Sequence, residues 1–259
     1  MNDLQKPFYS FSIDDVFDAL IELTDTPREV FSHPFFSFLQ SIHEQFGTNV
    51  DCYLFYQKKV GGKLRTLAEV TDKYAATLAT NTWLRFGPHA LDFETPPYQQ
   101  SPEEFTATLS KIYQEINRFT GRASNAKLVR LHFFSAMYEV ANYWRQQGVE
   151  YLFTRDQLEP ASYRISDEAN ATLARQGLAA YEGLKFIRTN FRLEFAGPKK
   201  TLESPAEVIE RYVKKSINDY GFFTFFTHDI EFLGDAKAKT EHYTRTILEY
   251  LTKNNIPSL

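Results

Sequence analysis

The sequence predicts an α/β protein, a parallel β/α barrel of seven strands, and three observations carry that expectation. Seven short runs rich in aromatic and β-branched residues alternate with longer helical patterns along 259 residues. Strands separated by helices pair in parallel through right-handed crossovers. The length is that of a β/α barrel. No glycine-rich fingerprint follows any run, which counts against the competing open, nucleotide-binding sheet. No internal repeat, low-complexity tract or long linker divides the chain, so residues 1–259 are expected to form one domain.

The runs, in order, are FYSFSI (8–13), VDCYLFY (50–56), WLRFG (83–87), KLVRLHFF (127–134), VEYLF (149–153), LKFIRTNFRLEF (184–195) and YGFFTFF (220–226). Their length and composition read as buried strands. Between them, Phe31, Phe35, Phe38, Leu39, Ile42 and Phe46 recur at helical spacing, and Gly47 stands where a C-terminal cap belongs. Ser101-Pro102-Glu103-Glu104 is a capping box with proline at the first helical position, and Ser204-Pro205-Ala206-Glu207 repeats it. Helices are also expected at 135–147 and 237–252.

Composition narrows the functional classes. The chain is 43% hydrophobic, with 24 Phe and 15 Tyr, which is incompatible with disorder. Its formal charge of −4, from 29 basic and 33 acidic residues, lacks the basic footprint that nucleic acid demands. Cys52 is the sole cysteine, so no internal disulfide forms and nothing argues for an oxidising compartment. MNDLQKPFYSFSIDD has no signal-peptide pattern, and no run approaches the roughly 18 apolar residues of a membrane span. The expectation is a cytoplasmic protein with neither a nucleic-acid partner nor membrane insertion.

In a β/α barrel the chemistry sits at the C-terminal strand ends. Polar residues there are Asp14 and Asp15, His89, His132 with Arg130, Asp156, and His228 with Asp229. Three of the six histidines thus fall at or near strand ends; His33, His43 and His242 fall in helical patterns. Asp14 and Asp15 suit a general base beside a metal-binding carboxylate, since two adjacent like charges do not both ionise freely. They equally suit a helix N-cap before VFDALIEL, and the two readings can coexist. Asp15, His89 and His132 together offer two imidazoles and a carboxylate, a ligand set of catalytic zinc and non-haem iron. His228 follows an aromatic stretch, so its surroundings should be dry and its pKa movable. Arg130 balances a buried carboxylate, for which Asp14 is the candidate. Glu94 and Glu194 read as ordinary charges, and Trp83 and Trp144 as core residues or sugar-stacking faces.

In the same order, these residues resemble the five motifs of the polysaccharide deacetylase family, the chitooligosaccharide-deacetylase-like carbohydrate esterases. SFSIDD is similar to the first motif, WLRFGPHA to the second, VRLHFF to the third, FTRD to the fourth and FFTHD to the fifth, over about residues 8 to 230. The resemblance implies a distorted seven-stranded barrel of the glycoside hydrolase/deacetylase type. It implies a hydrolase that uses a divalent metal, zinc first among them, to remove acetyl groups from a sugar or glycan precursor. Carried over, Asp14 is the general base, Asp15 and His89 are metal ligands, Arg130 orients Asp14, and Asp156 tunes His228, the general acid. The second motif departs from the family: four residues after His89, where a further histidine belongs, stands Phe93. His132 occupies a place where the third motif has proline. The missing ligand is then supplied by His132, by Asp92, or not at all. A divergent branch of the family, with a role in surface-glycan metabolism, is the expectation. A catalytically silent barrel that binds a glycan or protein partner is the alternative that Phe93 sustains. A metal-free glycosidase would instead need two carboxylates about 5–9.5 Å apart.

Overall fold

The computed structural model describes residues 7–135, 138–155, 165–197 and 199–259. Its strands are β1 (Phe8–Asp14), β2 (Val50–Phe55), β3 (Gln57–Val60), β4 (Lys63–Thr66), β5 (Leu84–Ala90) and β6 (Leu128–Val129). They continue as β7 (Tyr151–Phe153), β8 (Leu178–Tyr181), β9 (Leu184–Ile187), β10 (Phe191–Arg192) and β11 (Phe222–His228). Five form a parallel sheet in the order β10-β11-β1-β2-β5, and four form a second in the order β6-β7-β9-β8. In the second sheet only β8 runs antiparallel. β3 and β4 make a separate hairpin.

The expected single seven-stranded ladder is therefore replaced by two sheets. The run 127–134 explains part of the difference. Only Leu128–Val129 pairs as a strand; Leu131 is still extended, and at Phe133 and Phe134 left-handed φ values of 53° and 54° turn the chain away. The run 184–195 also divides, giving β9 to one sheet and β10 to the other. An isolated parallel bridge, Phe86 to Asn125, links the sheets on the opposite side, where the Ala126 amide donates to the Phe86 carbonyl at 2.8 Å.

β1 is the centre of the larger sheet and every residue in it is buried, as its aromatic, β-branched composition requires of a strand covered on both faces. It pairs with β11 over seven residues, from Phe8 opposite Phe222 to Asp14 opposite His228. Phe11 stacks on Phe225 with ring centroids 4.6 Å apart. Helices cover the outer face. Pro34–Phe46 buries Phe35, Phe36, Phe38, Leu39 and Ile42 and ends at Gly47, whose φ of 68° makes the left-handed cap. Pro102–Phe119 and Pro205–Val208 both open on complete capping boxes, at Ser101 and Ser204. Lys237–Lys253 buries Tyr243, Ile247, Leu248 and Leu251. A second apolar cluster, including Phe8, Tyr53, Leu128, Phe153, Ile187 and Phe222, draws side chains from both sheets, so the space between them is packed. Trp144 is fully buried and Trp83 is largely buried, stacked on His43; both belong to the core.

Truncating the central aromatic tests this arrangement. Phe11→Ala is expected to lower unfolding stability by about 3–5 kcal/mol, read from the urea midpoint at unchanged m-value. A loss below about 1 kcal/mol would show that β1 is not packed on both faces.

Candidate active site

A cleft of about 430 Å³ opens at the C-terminal ends of the parallel strands, and Asp14, Asp15, His89, Arg130, His132 and His228 all line it. Asp14 is the last residue of β1 and is buried. Asp15 follows at a φ of 64°, a left-handed conformation that redirects its carboxylate. The next helix begins only at Asp18, and its cap residue, Phe17, makes no side-chain cap bond. Neither aspartate serves as the N-cap. His89 lies inside β5 rather than in a loop beyond it. His132 opens the short helical turn that replaces the end of the expected fourth strand.

Three of these side chains converge. Asp15, His89 and His132 each offer a ligand atom, and these atoms all lie within 4.8 Å of one another. His89 Nε2 stands 3.2 Å from Asp15 Oδ1 and 3.3 Å from His132 Nδ1. The partner of His89 Nδ1 is the Arg130 carbonyl at 2.8 Å. A carbonyl only accepts, so Nδ1 carries a proton and Nε2 is the nitrogen turned toward Asp15. Asp15 Oδ1 is itself buried without a hydrogen-bond donor among the described residues. A carboxylate oxygen and two imidazole nitrogens at these separations can share a cation. Zinc bonds of about 2.0–2.1 Å at tetrahedral angles set neighbouring donors about 3.3 Å apart, so the residues fit a zinc-sized ion.

The charge states agree with a cation site. Burial opposes ionisation of Asp15, but the imidazoles of His89, His228 and His132 around it outweigh burial and hold the carboxyl at about 2. Burial and then the neighbouring His89 press His132 down to about 4, so its ring is neutral at pH 7. Metal binding draws on an ionised carboxylate and neutral imidazole, the states of Asp15 and His132. Asp92, the other candidate ligand, is already engaged: Oδ2 accepts from Gln57 at 2.7 Å and Oδ1 from the Thr95 amide at 2.8 Å.

Two further pairs flank this group. Arg130 Nη1 donates to Asp14 Oδ1 at 3.1 Å and to Ser12 Oγ at 2.5 Å, deep in the protein. His228 Nδ1 contacts Glu194 Oε1 at 3.0 Å. Burial works against a charged His228, yet Glu194, Asp14 and Asp15 together raise its pKa above the ordinary histidine value. Glu194 is correspondingly lowered, since His228 and Arg192 outweigh its burial. Glu194 is thus no ordinary charge. Asp156 lies outside the described residues. The Asp229 carboxylate faces Lys58 at 3.6 Å.

Glu231 is a residue that sequence patterns do not reveal. Its buried carboxylate accepts from the amides of Phe195, at 2.7 Å, and Ala196, at 3.0 and 3.1 Å. Placed three residues after His228, it clamps the segment that carries Glu194 against the segment that carries the histidine. Phe93, Tyr98 and Phe133 rise over the cleft mouth, with Phe93 5.0 Å from the His132 ring.

No family model matches the sequence, and no curated protein matches it. Solved structures do share its fold. A 4-alpha-glucanotransferase from Thermococcus litoralis superposes with a TM-score of 0.58 at 13% identity, covering 99% of this chain and 39% of that one. A Mycobacterium smegmatis protein assigned to the polysaccharide deacetylases gives 0.54 at 12% identity, covering 100% and 95%. A Streptococcus mutans CE4 esterase gives 0.51 at 12% identity, covering 98% and 86%. The chain is an α/β protein with a parallel sheet, built on the fold these proteins share.

The Glu194–His228 contact makes a titration prediction. In metal-free protein, His228 should titrate above the ordinary value of about 6.5 when followed by NMR. Glu194→Gln removes the carboxylate that stabilises the imidazolium, so the pKa should fall. An unchanged value in the variant would show that Glu194 does not hold the proton there.

Proposed function

We propose that this protein is a metal-dependent hydrolase that removes acetyl groups from a sugar or glycan precursor, in surface-glycan metabolism. The observation that carries the reading is the convergence of Asp15, His89 and His132 in one cleft with an Arg130–Asp14 pair and a Glu194–His228 pair. The fold shared with a CE4 esterase and a protein assigned to the polysaccharide deacetylases supports it. In this reading the two sheets, of five and four strands, are the two parts of one distorted barrel, and residues 1–259 are a single domain.

Asp15, His89 and His132 hold the metal, with His132 in place of the histidine that Phe93 displaces. A divalent ion, zinc by its donor set, supplies Lewis acidity and brings the pKa of a water down toward roughly 7. Asp14 takes the proton from the water that attacks the acetyl carbonyl. Arg130 orients Asp14 through the charge-assisted bond from Nη1 to Oδ1. As the C–N or C–O bond breaks, protonated His228 gives its proton to the departing amine or alkoxide. Acetate and the free sugar group are the products. Glu194 keeps His228 protonated, the task the family resemblance assigns to Asp156. Phe93, Tyr98 and Phe133 present faces against which a sugar ring packs.

Metal analysis and acetate release test the roles separately. Wild-type protein should hold about one zinc per chain, His132→Ala should lose it, and Asp14→Asn should keep it. Asp14→Asn should also lower acetate release from acetylated sugars by at least about a hundredfold. Sustained turnover in Asp14→Asn would remove Asp14 from the mechanism. A wild type that takes up no zinc on dialysis would remove the hydrolase reading itself.

A further inference from the structure

Beyond the cleft the same face carries a second depression, a shallow groove of about 530 Å³ lined by Phe195, Lys200, Ile230, Leu233, Asp235 and Lys239 among others. It begins where the catalytic pairs end. Phe195 follows Glu194, and Ile230 lies two residues after His228. Lys199 lines the cleft and Lys200 the groove, so the two depressions are neighbours along the chain.

The apolar surface is unevenly distributed. The large hydrophobic side chains that stand exposed among the described residues number seven, at 50% to 87% exposure. Ile230 and Leu233 belong to the groove, Leu202 follows Lys200, and Phe93, Tyr98 and Phe133 surround the cleft. The seventh, Leu64, is on the β3–β4 hairpin. Every one of them lies in a segment that follows the C-terminal end of a parallel strand: β2, β5, β6, β10 or β11. Scattered exposed leucines need no explanation, but their concentration on one end of a fold marks a contact surface.

Lysines accompany the aliphatic residues. Lys199, Lys200 and Lys239 make no ion pair with any described residue, whereas Lys237, nearby, pairs with Glu241 at 3.9 Å. The Lys239 ammonium sits over the Phe195 ring, with Nζ 4.5 Å from the centroid. Asp235 is the one acid in the groove lining. Protein interfaces are depleted in lysine and anchored by aromatic and arginine side chains. Exposed Ile and Leu beside lysines that make no ion pair, with a single acid in the lining, is the composition of a surface that meets anionic lipid.

We infer that this groove docks the protein on an anionic bilayer surface, with Ile230, Leu233 and Leu202 entering the interfacial layer and Lys199, Lys200 and Lys239 engaging the headgroups. No helix among the described residues is long and apolar enough to cross a membrane, so the association is peripheral. The cleft opens on the docked face, which presents it to substrates held at that surface. The inference needs no assumption about the reaction.

Co-sedimentation of the full chain with vesicles tests it. The wild type should bind phosphatidylglycerol vesicles at low ionic strength and phosphatidylcholine vesicles far more weakly. Lys200→Gln and Lys239→Gln should each weaken the binding roughly fivefold, the effect of one surface lysine. The double variant Ile230→Asp, Leu233→Asp should abolish it while keeping the wild-type melting temperature, since both side chains are more than half exposed. Absence of wild-type binding to phosphatidylglycerol vesicles overturns the inference, as does full binding by the double variant. A dimer in solution that the double variant dissolves, with no vesicle binding, would overturn it in favour of contact between copies.

Discussion

The candidate site depends on one buried residue, Arg130. Its side chain reaches β1, where Nη1 bonds Ser12 and Asp14. Its carbonyl faces β5 and accepts the proton of His89 Nδ1. The guanidinium packs over the rings of Phe226 and Phe153, 4.0 and 4.3 Å from their centroids. Arginine suits this place because its charge is delocalised and only weakly hydrated, and it stacks on aromatic faces. Removing it would leave Asp14 as an uncompensated buried charge, a loss of about 3–5 kcal/mol. The backbone carbonyl that accepts from His89 Nδ1 does not depend on the side chain, so the loss falls on Asp14. A single residue beyond the short strand β6 therefore contacts both the Asp14 carboxylate, through its side chain, and the His89 ring, through its carbonyl.

The backbone around that residue is bent to match. Asp15, Phe133 and Phe134 all have positive φ, and none of them is glycine. Such conformations cost of order 1–3 kcal/mol each and persist only where the surroundings enforce them. At Asp15 the bend brings a second carboxylate to the cleft immediately after Asp14. At Phe133 and Phe134 it turns the chain away, so His132 meets His89 instead of continuing the ladder. The strain and the convergence of the three donors have a common origin. On the far side, Glu231 clamps the backbone after Glu194 and so brings the His228 pair to the same opening.

Much of this was legible in the sequence, and the remainder was not for physical reasons. Serine, proline and glutamate at fixed offsets mark the helix starts at 102 and 205, because capping is a local interaction. The seven aromatic runs mark buried segments, because burial leaves a compositional signature. His132 and Arg130 stand out as polar residues amid apolar ones. Composition does not tell which strand a run pairs with, so the division of 184–195 between two sheets was hidden. It also does not tell which acid meets a given histidine. Glu194 looks like any other surface charge until β10 and β11 are side by side. The β3–β4 hairpin did leave a signal, Gly61-Gly62 between two short runs, but its strands are too exposed to show apolar alternation.

The central claim is that His132 has taken over as a ligand beside Asp15 and His89. X-ray absorption at the zinc edge of the zinc-loaded protein examines it most directly. The account predicts a first shell of light atoms that includes two imidazoles, and one imidazole in the His132→Ala variant if metal is forced in at high concentration. An unchanged two-imidazole shell in that variant, or a wild-type spectrum without imidazole scattering, would contradict it.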